Sequence, residues 1–88
     1  MDIQFDWNKA ESNLKKHGVS FSEASSVLLD SDSLVMEDPT AIYENRWIAI
    51  GMSNRVRLIT IIYTLRDSNR IRLISARKAT RHEGAQYG

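Results

Sequence analysis

Residues 46–75, RWIAIGMSNRVRLITIIYTLRDSNRIRLIS, decide the fold. Arg46 to Met52 alternates, with Arg46, Ile48, Ile50 and Met52 on one side and Trp47, Ala49 and Gly51 on the other, which is the period of a two-faced strand. Val56 to Leu65 is rich in β-branched residues that suit a pleated surface. Ile71 to Ser75 is a third run of the same kind. Ser53-Asn54 and Asp67-Ser68-Asn69 between them are turn chemistry. Connections this short join antiparallel neighbours, because parallel ones need a crossover of about a dozen residues or more. The three runs therefore predict an antiparallel meander.

Working outward, Ile3 to Phe5 is a short apolar run that suits an edge strand. Asp6 can cap a first helix, in which Trp7, Ala10 and Leu14 share one face and point to the core. Gly18 supplies the left-handed residue that ends it, and Lys15, Lys16 and His17 fall in its last turn, where the helix dipole favours cations. Ser20 and Glu23 have the spacing of a capping box for a second helix, and Val19 and Ala24 that of a hydrophobic staple. The Asp30-Ser31-Asp32-Ser33 cluster closes that helix. Leu34 to Met36 is a further short strand, closed by Asp38-Pro39. Thr80 and Glu83 form a second capping box, opening a C-terminal helix weakened by Gly84. Residues 1–88 thus predict a single α+β domain: a short N-terminal strand and two helices, a three- to four-stranded antiparallel sheet, and a C-terminal helix. The helices are expected on one face of the sheet, with Trp7 and Trp47 in the core.

Composition narrows the function. Without cysteine the chain has neither a disulfide nor a thiolate metal site. No signal-peptide pattern is present, and no apolar run nears the roughly 18 residues of a membrane span, so a cytoplasmic protein is expected. The net charge of +1 conceals a division. Residues 1–44 carry three lysines against nine acidic residues, a net −6, whereas residues 45–88 carry eight arginines and Lys78 against Asp67 and Glu83, a net +7. Arg70, Arg72, Arg77, Lys78 and Arg81, with His82, crowd the segment from the last strand into the last helix. Such crowding is costly through self-repulsion unless it meets an anion, and nucleic-acid phosphate is the best candidate.

Arg66 ends the longest strand, Arg77 and Lys78 lie between the last strand and the third helix, and Arg81 falls in that helix's first turn. Guanidinium groups grip phosphate oxygens in pairs and keep their charge at any accessible pH. The three arginines are expected to surround one phosphate and to stabilise the charge that builds on a pentavalent phosphorane. RNA carries its own nucleophile in the 2′-hydroxyl, so such a site needs alignment, charge stabilisation and proton transfer, with no cofactor and no metal. His17, His82, Glu83 and Tyr63 are the candidates for moving the proton. Each has a plainer reading: Glu83 as the acid of its capping box, His17 as a helix-end residue, Tyr63 as core. Arg72 reads as an outward sheet residue, and Arg55 and Arg57 as solvated turn residues. A binding module without catalysis, and a domain that docks an acidic partner, would use the same basic face.

The chain also resembles a known family. Phe5-Asp6-Trp7, Lys16-His17-Gly18-Val19-Ser20-Phe21, Asp38-Pro39, Arg46-Trp47 with Ile50-Gly51, Tyr63 with Arg66, and Ile71 through Arg81 with Glu83 and Tyr87 are similar, in order, to the BrnT-type toxins of bacterial type II toxin–antitoxin systems. The resemblance implies a RelE-like fold and a metal-independent endoribonuclease that inhibits translation. It further implies a BrnA-like antitoxin with a ribbon-helix-helix domain, joined in a two-to-two complex and touching operator DNA only through that antitoxin. Carried over by position, catalytic roles are expected at Arg66, Arg77, Arg81, His17 and Glu83, and RNA contacts at Lys16, Arg46, Tyr63 and Lys78. One departure stands out: similar chains continue the last helix with another charged residue after the glutamate, where this one has Gly84. A shortened, less well supported helix follows from that difference.

Overall fold

The computed structural model describes residues 2–42 and 44–87. Strands β1 (Asp2–Gln4), β2 (Leu34–Glu37), β3 (Arg46–Met52), β4 (Leu58–Asp67) and β5 (Arg70–Lys78) form one sheet in the order β1-β5-β4-β3-β2. Helices α1 (Trp7–His17) and α2 (Phe21–Val27) follow β1, and α3 (Arg81–Gln86) follows β5. From β2 to β5 the sheet is the expected antiparallel meander. Among the described residues the sheet has five strands rather than three or four, because β1 joins the far edge, parallel to β5. The two helices and three strands between them give the chain ample length for a parallel return.

Cross-strand partners share a face, so the register divides the sheet cleanly. One face carries Trp47, Ala49, Ile59, Ile61, Tyr63, Ile71, Leu73 and Ala76. These residues meet Val19, Phe21, Ala24 and Val27 from α2 and its lead-in to form the main core. Ser20 caps α2 by accepting the Glu23 N–H at 3.0 Å. The Glu23 carboxylate does not close the box. It sits 3% exposed and accepts from Ser53 Oγ at 2.7 Å and from Arg57 Nε at 2.9 Å. Arg57 is therefore an anchored residue rather than a solvated one. The turn before β4 carries Val56 at φ 57°, and the strand begins at Leu58 instead of Val56.

Two expectations about helix faces fail. Trp7 is 78% exposed and Leu14 50%, because α1 lies along β5 and turns Ala10 and Asn13 inward instead. Nor do all helices share one side: α3 crosses the opposite face. There Glu83 accepts from Thr60, which shares its face with Ile50 and Arg77. At the far end Tyr87 donates its phenolic hydrogen to Asp30 at 2.5 Å. This cover explains why Ile50 and Thr60 are each only 1% exposed although neither faces the main core.

Candidate nucleic-acid interface

Three groups of functional side chains occupy separate parts of the molecule. At the α3 end, Thr80 accepts the Glu83 N–H at 3.1 Å, and Glu83 accepts the Thr80 N–H at 2.8 Å, a complete capping box. The same carboxylate accepts from Arg77 Nη1 at 2.6 Å and Nη2 at 2.9 Å. The Arg77 hydrogen bonds, working against partial burial and helped by Thr80 and Thr60, bring Glu83 from 4.5 down to about 2. So held, Glu83 is a weak base at neutral pH, and its geometry makes it the positioning partner of Arg77. Lys78, Arg81 and His82 lie exposed around this joint. His82 pairs with Gln86 at 3.3 Å.

The second group stands on the face that α3 crosses, at the end away from that helix. Gln4, Arg72, Thr64 and Arg46 form a row across β1, β5, β4 and β3. Arg46 lies 3.5 Å from Glu44. Thr64 is 3% exposed and its hydroxyl has no hydrogen-bond partner among the described residues. Arg66 follows at an irregularity in the pairing, exposed.

The expected gathering of Arg66, Arg77 and Arg81 around one phosphate does not occur. Arg77 pairs with Thr60, and Arg66 lies six residues further along β4, about 20 Å at the rise of a strand. In an antiparallel pair the end of β4 meets the start of β5, so Arg66 is carried toward Arg70 and Arg72 and away from α3. Tyr63 also departs from expectation as an RNA contact: it is 7% exposed on the core face, and burial raises its pKa above the ordinary 10.0.

The third group lines a groove of about 370 Å³ between α1 and the edge of β5, built from Lys9, Ser12, Lys16 and His17 with Ile74 and Ser75. The groove exists because β1 pairs only with residues 70–72 and leaves the rest of the β5 edge open. Asn13 occupies part of that edge. Its amide donates to the carbonyls of Val19 (2.9 Å) and Ala76 (2.8 Å) and accepts from the Ala76 N–H (3.1 Å), replacing a strand partner. Lys16 and His17, expected close together, share this groove with Lys9. Among the described residues, no carboxylate lies within 4 Å of the charged ends of Lys9, Lys16, Arg66, Arg72, Lys78 or Arg81. Nor do three or more His, Cys, Asp or Glu side chains gather there in a way that could hold a metal ion.

A family model described as the ribonuclease toxin BrnT of type II toxin–antitoxin systems matches residues 5–83. The chain belongs to that family. It is also similar to the crystal structure of the Brucella abortus ribonuclease toxin BrnT, at 30% identity and a TM-score of 0.71, over 92% of this chain and 99% of that one. No curated protein sequence matches it significantly. Membership of the BrnT family makes the protein a ribonuclease toxin whose partners are RNA and an antitoxin. No described helix is long and apolar enough to cross a membrane. Sequence reasoning missed Lys9, Ser12 and Ser75 as parts of a basic surface. The spacing of Lys9, Ser12 and Lys16 at i, i+3, i+7 was the available signal, since it lines them on one side of α1.

Proposed function

We propose that this BrnT-family toxin is a metal-independent endoribonuclease in which the groove between α1 and β5 cuts the RNA. The observation that carries this reading is a histidine lining an open groove together with Lys9 and Lys16, with no carboxylate of the described residues within 4 Å of these three side chains' charged ends. His17 takes the proton of a 2′-hydroxyl, the 2′-oxygen attacks the adjacent phosphorus, and the bond to the 5′-oxygen breaks. The departing oxygen takes up a proton from water, leaving a 2′,3′-cyclic phosphate and a 5′-hydroxyl. Lys9 and Lys16 hold the non-bridging oxygens, whose extra charge in the transition state rewards fixed cations. The cationic lining also repels a divalent ion. Arg77, two residues beyond Ser75 on β5, offers its remaining N–H donors from the α3 side with Glu83 holding its fork in place, and Lys78 and Arg81 flank it. Arg66, Arg72 and Arg46 bind RNA leading away from the cut.

Cutting RNA in the cytoplasm inhibits translation. The partner is a BrnA-like ribbon-helix-helix antitoxin in a two-to-two complex, through which the toxin reaches operator DNA. The test is cleavage of labelled RNA with EDTA present. Wild-type protein yields cyclic phosphate ends, and His17→Ala loses about a hundredfold in kcat. Expression arrests bacterial growth, and the co-expressed antitoxin relieves it. A strict requirement for Mg²⁺ would overturn the mechanism, and undiminished RNA binding without any cleavage would leave a binding module instead.

A further inference from the structure

Trp7 stands 78% exposed at the rim of a second groove, of about 560 Å³, lined by Ile3, Gln4, Phe5, Asp6 and Arg72 as well. Its aromatic contact is edge-to-face with Phe5, with ring centres 4.9 Å apart at 71°, so indole surface remains open. Gln4 and Arg72 are register partners and project from one face. Asp6 spends Oδ1 on capping α1, accepting from the Asn8 N–H at 2.8 Å. Its Oδ2 accepts no hydrogen bond from the described residues.

We propose that this groove is a nucleobase subsite: an unstacked base of single-stranded RNA lies on Trp7, Gln4 and Asp6 contact its edge, and Arg72 takes the adjoining phosphate. The proposal rests on the ribonuclease reading of the neighbouring groove and names what that groove's substrate does next to it. Trp7 adjoins Asn8, and Asn8 and Lys9 line the groove of His17, so the two meet at the first turn of α1. A strand leaving one enters the other. Asp6 decides between base and phosphate, since a carboxylate repels phosphate yet accepts the amino and imino hydrogens of a base edge. Beside Arg72 lies Thr64, whose hydroxyl is buried without a partner among the described residues. An apolar surface of Phe5, Ala10, Leu14 and Phe21 continues on the other side of Trp7 and would suit a protein. The polar trio of Gln4, Asp6 and Arg72 favours the base.

The chain has two tryptophans, so Trp47→Phe leaves Trp7 as the sole indole reporter. That protein is titrated with a single-stranded 2′-O-methyl RNA octamer of mixed sequence, which lacks the attacking hydroxyl and stays intact. Binding is expected to quench Trp7 fluorescence. In the otherwise wild-type chain, Trp7→Leu is expected to raise KM for RNA cleavage about tenfold, the scale of one stacked base, with kcat within twofold. Trp7→Phe should restore most of the loss. Octamer binding without quenching, together with unchanged KM in Trp7→Leu, overturns the proposal. So does a Trp7→Leu variant that binds RNA normally and loses only the antitoxin, which would make this a protein-docking face. Quenching by a protein that cuts no RNA leaves the subsite standing and removes the ribonuclease reading, and cleavage with neither quenching nor a KM change does the reverse.

Discussion

Glu83 receives hydrogen bonds from Arg77, Thr60 and the Thr80 backbone, and its charge is what those donors require. With a folded pKa of about 2 against an ordinary 4.5, protonation favours the unfolded chain. The stabilisation is complete above about pH 4.5 and is lost as the pH falls toward 2. After allowance for the exposed flank of Arg77, whose side chain is 39% accessible, the contribution is about 1–3 kcal/mol. Glu83→Gln should lower stability at pH 7 by that amount and flatten the decline between pH 5 and 2, as followed by urea denaturation at each pH. Equal acid limbs for the two proteins would show that the carboxylate is not held as described. The capping spacing was legible in the sequence, whereas the pairing with Arg77 needs Arg77 and Thr60 to face the same way, which only the register supplies. Asn13 was still less legible. A buried amide that completes a strand edge looks, in sequence, like any polar residue on a helix.

At the scale of elements, the strands were readable because alternation reports two environments at every second residue, and β3 and long stretches of β4 and β5 alternate, with breaks at the pairing irregularities after Ile62 and Leu65. Helix α1 misled because its apolar residues, Trp7 and Leu14, form an outer surface while Asn13 turns inward. Apolar spacing identifies a face but does not say what covers it. Helix α3 raises a sharper point. It has six residues, too few to persist alone, and it is held by its cap, by Glu83 and by the tie from Tyr87 to Asp30. Gly84 in its middle is not demanded by packing: a Cβ there would meet Leu58 Cδ1 at 3.7 Å, an ordinary contact, with no positive φ. Gly84→Ala should therefore stabilise the protein by about 1 kcal/mol, a rise in Tm of roughly 4–8 °C for a domain of this size. A fall in Tm would mean that the last helix needs glycine for a reason other than space.

Across the whole molecule the cations of β5 and α1 gather toward one side of the sheet, although Asp2 in β1 and Glu11 in α1 lie among them. β5 and the adjoining α1 present Arg70, Arg72, Lys78, Lys9 and Lys16, while the opposite edge carries Glu37 in β2 with Asp30, Asp32, Asp38 and Glu44 in the segments beside it. The opposed composition of the two halves of the chain carries part of this polarity, while Lys9 and Lys16 come to the basic side from the acidic half. The separate places of the arginines are less plain in their crowding along the sequence, although the antiparallel pairing expected from the short turns forbids Arg66 from meeting Arg77. The consequence for RNA binding is measurable. Each cation that neutralises a phosphate on a single strand contributes about 0.7 to the slope of log affinity against log salt. Lys9→Gln with Lys16→Gln should therefore lower that slope by about 1.4, and Arg72→Gln should lower it by about 0.7. Fluorescence titrations with the uncleavable octamer between about 50 and 300 mM salt supply these slopes. A slope unmoved by Lys9→Gln with Lys16→Gln would mean that the strand does not enter the groove between α1 and β5, because two phosphates neutralised there must release their counterions when RNA binds.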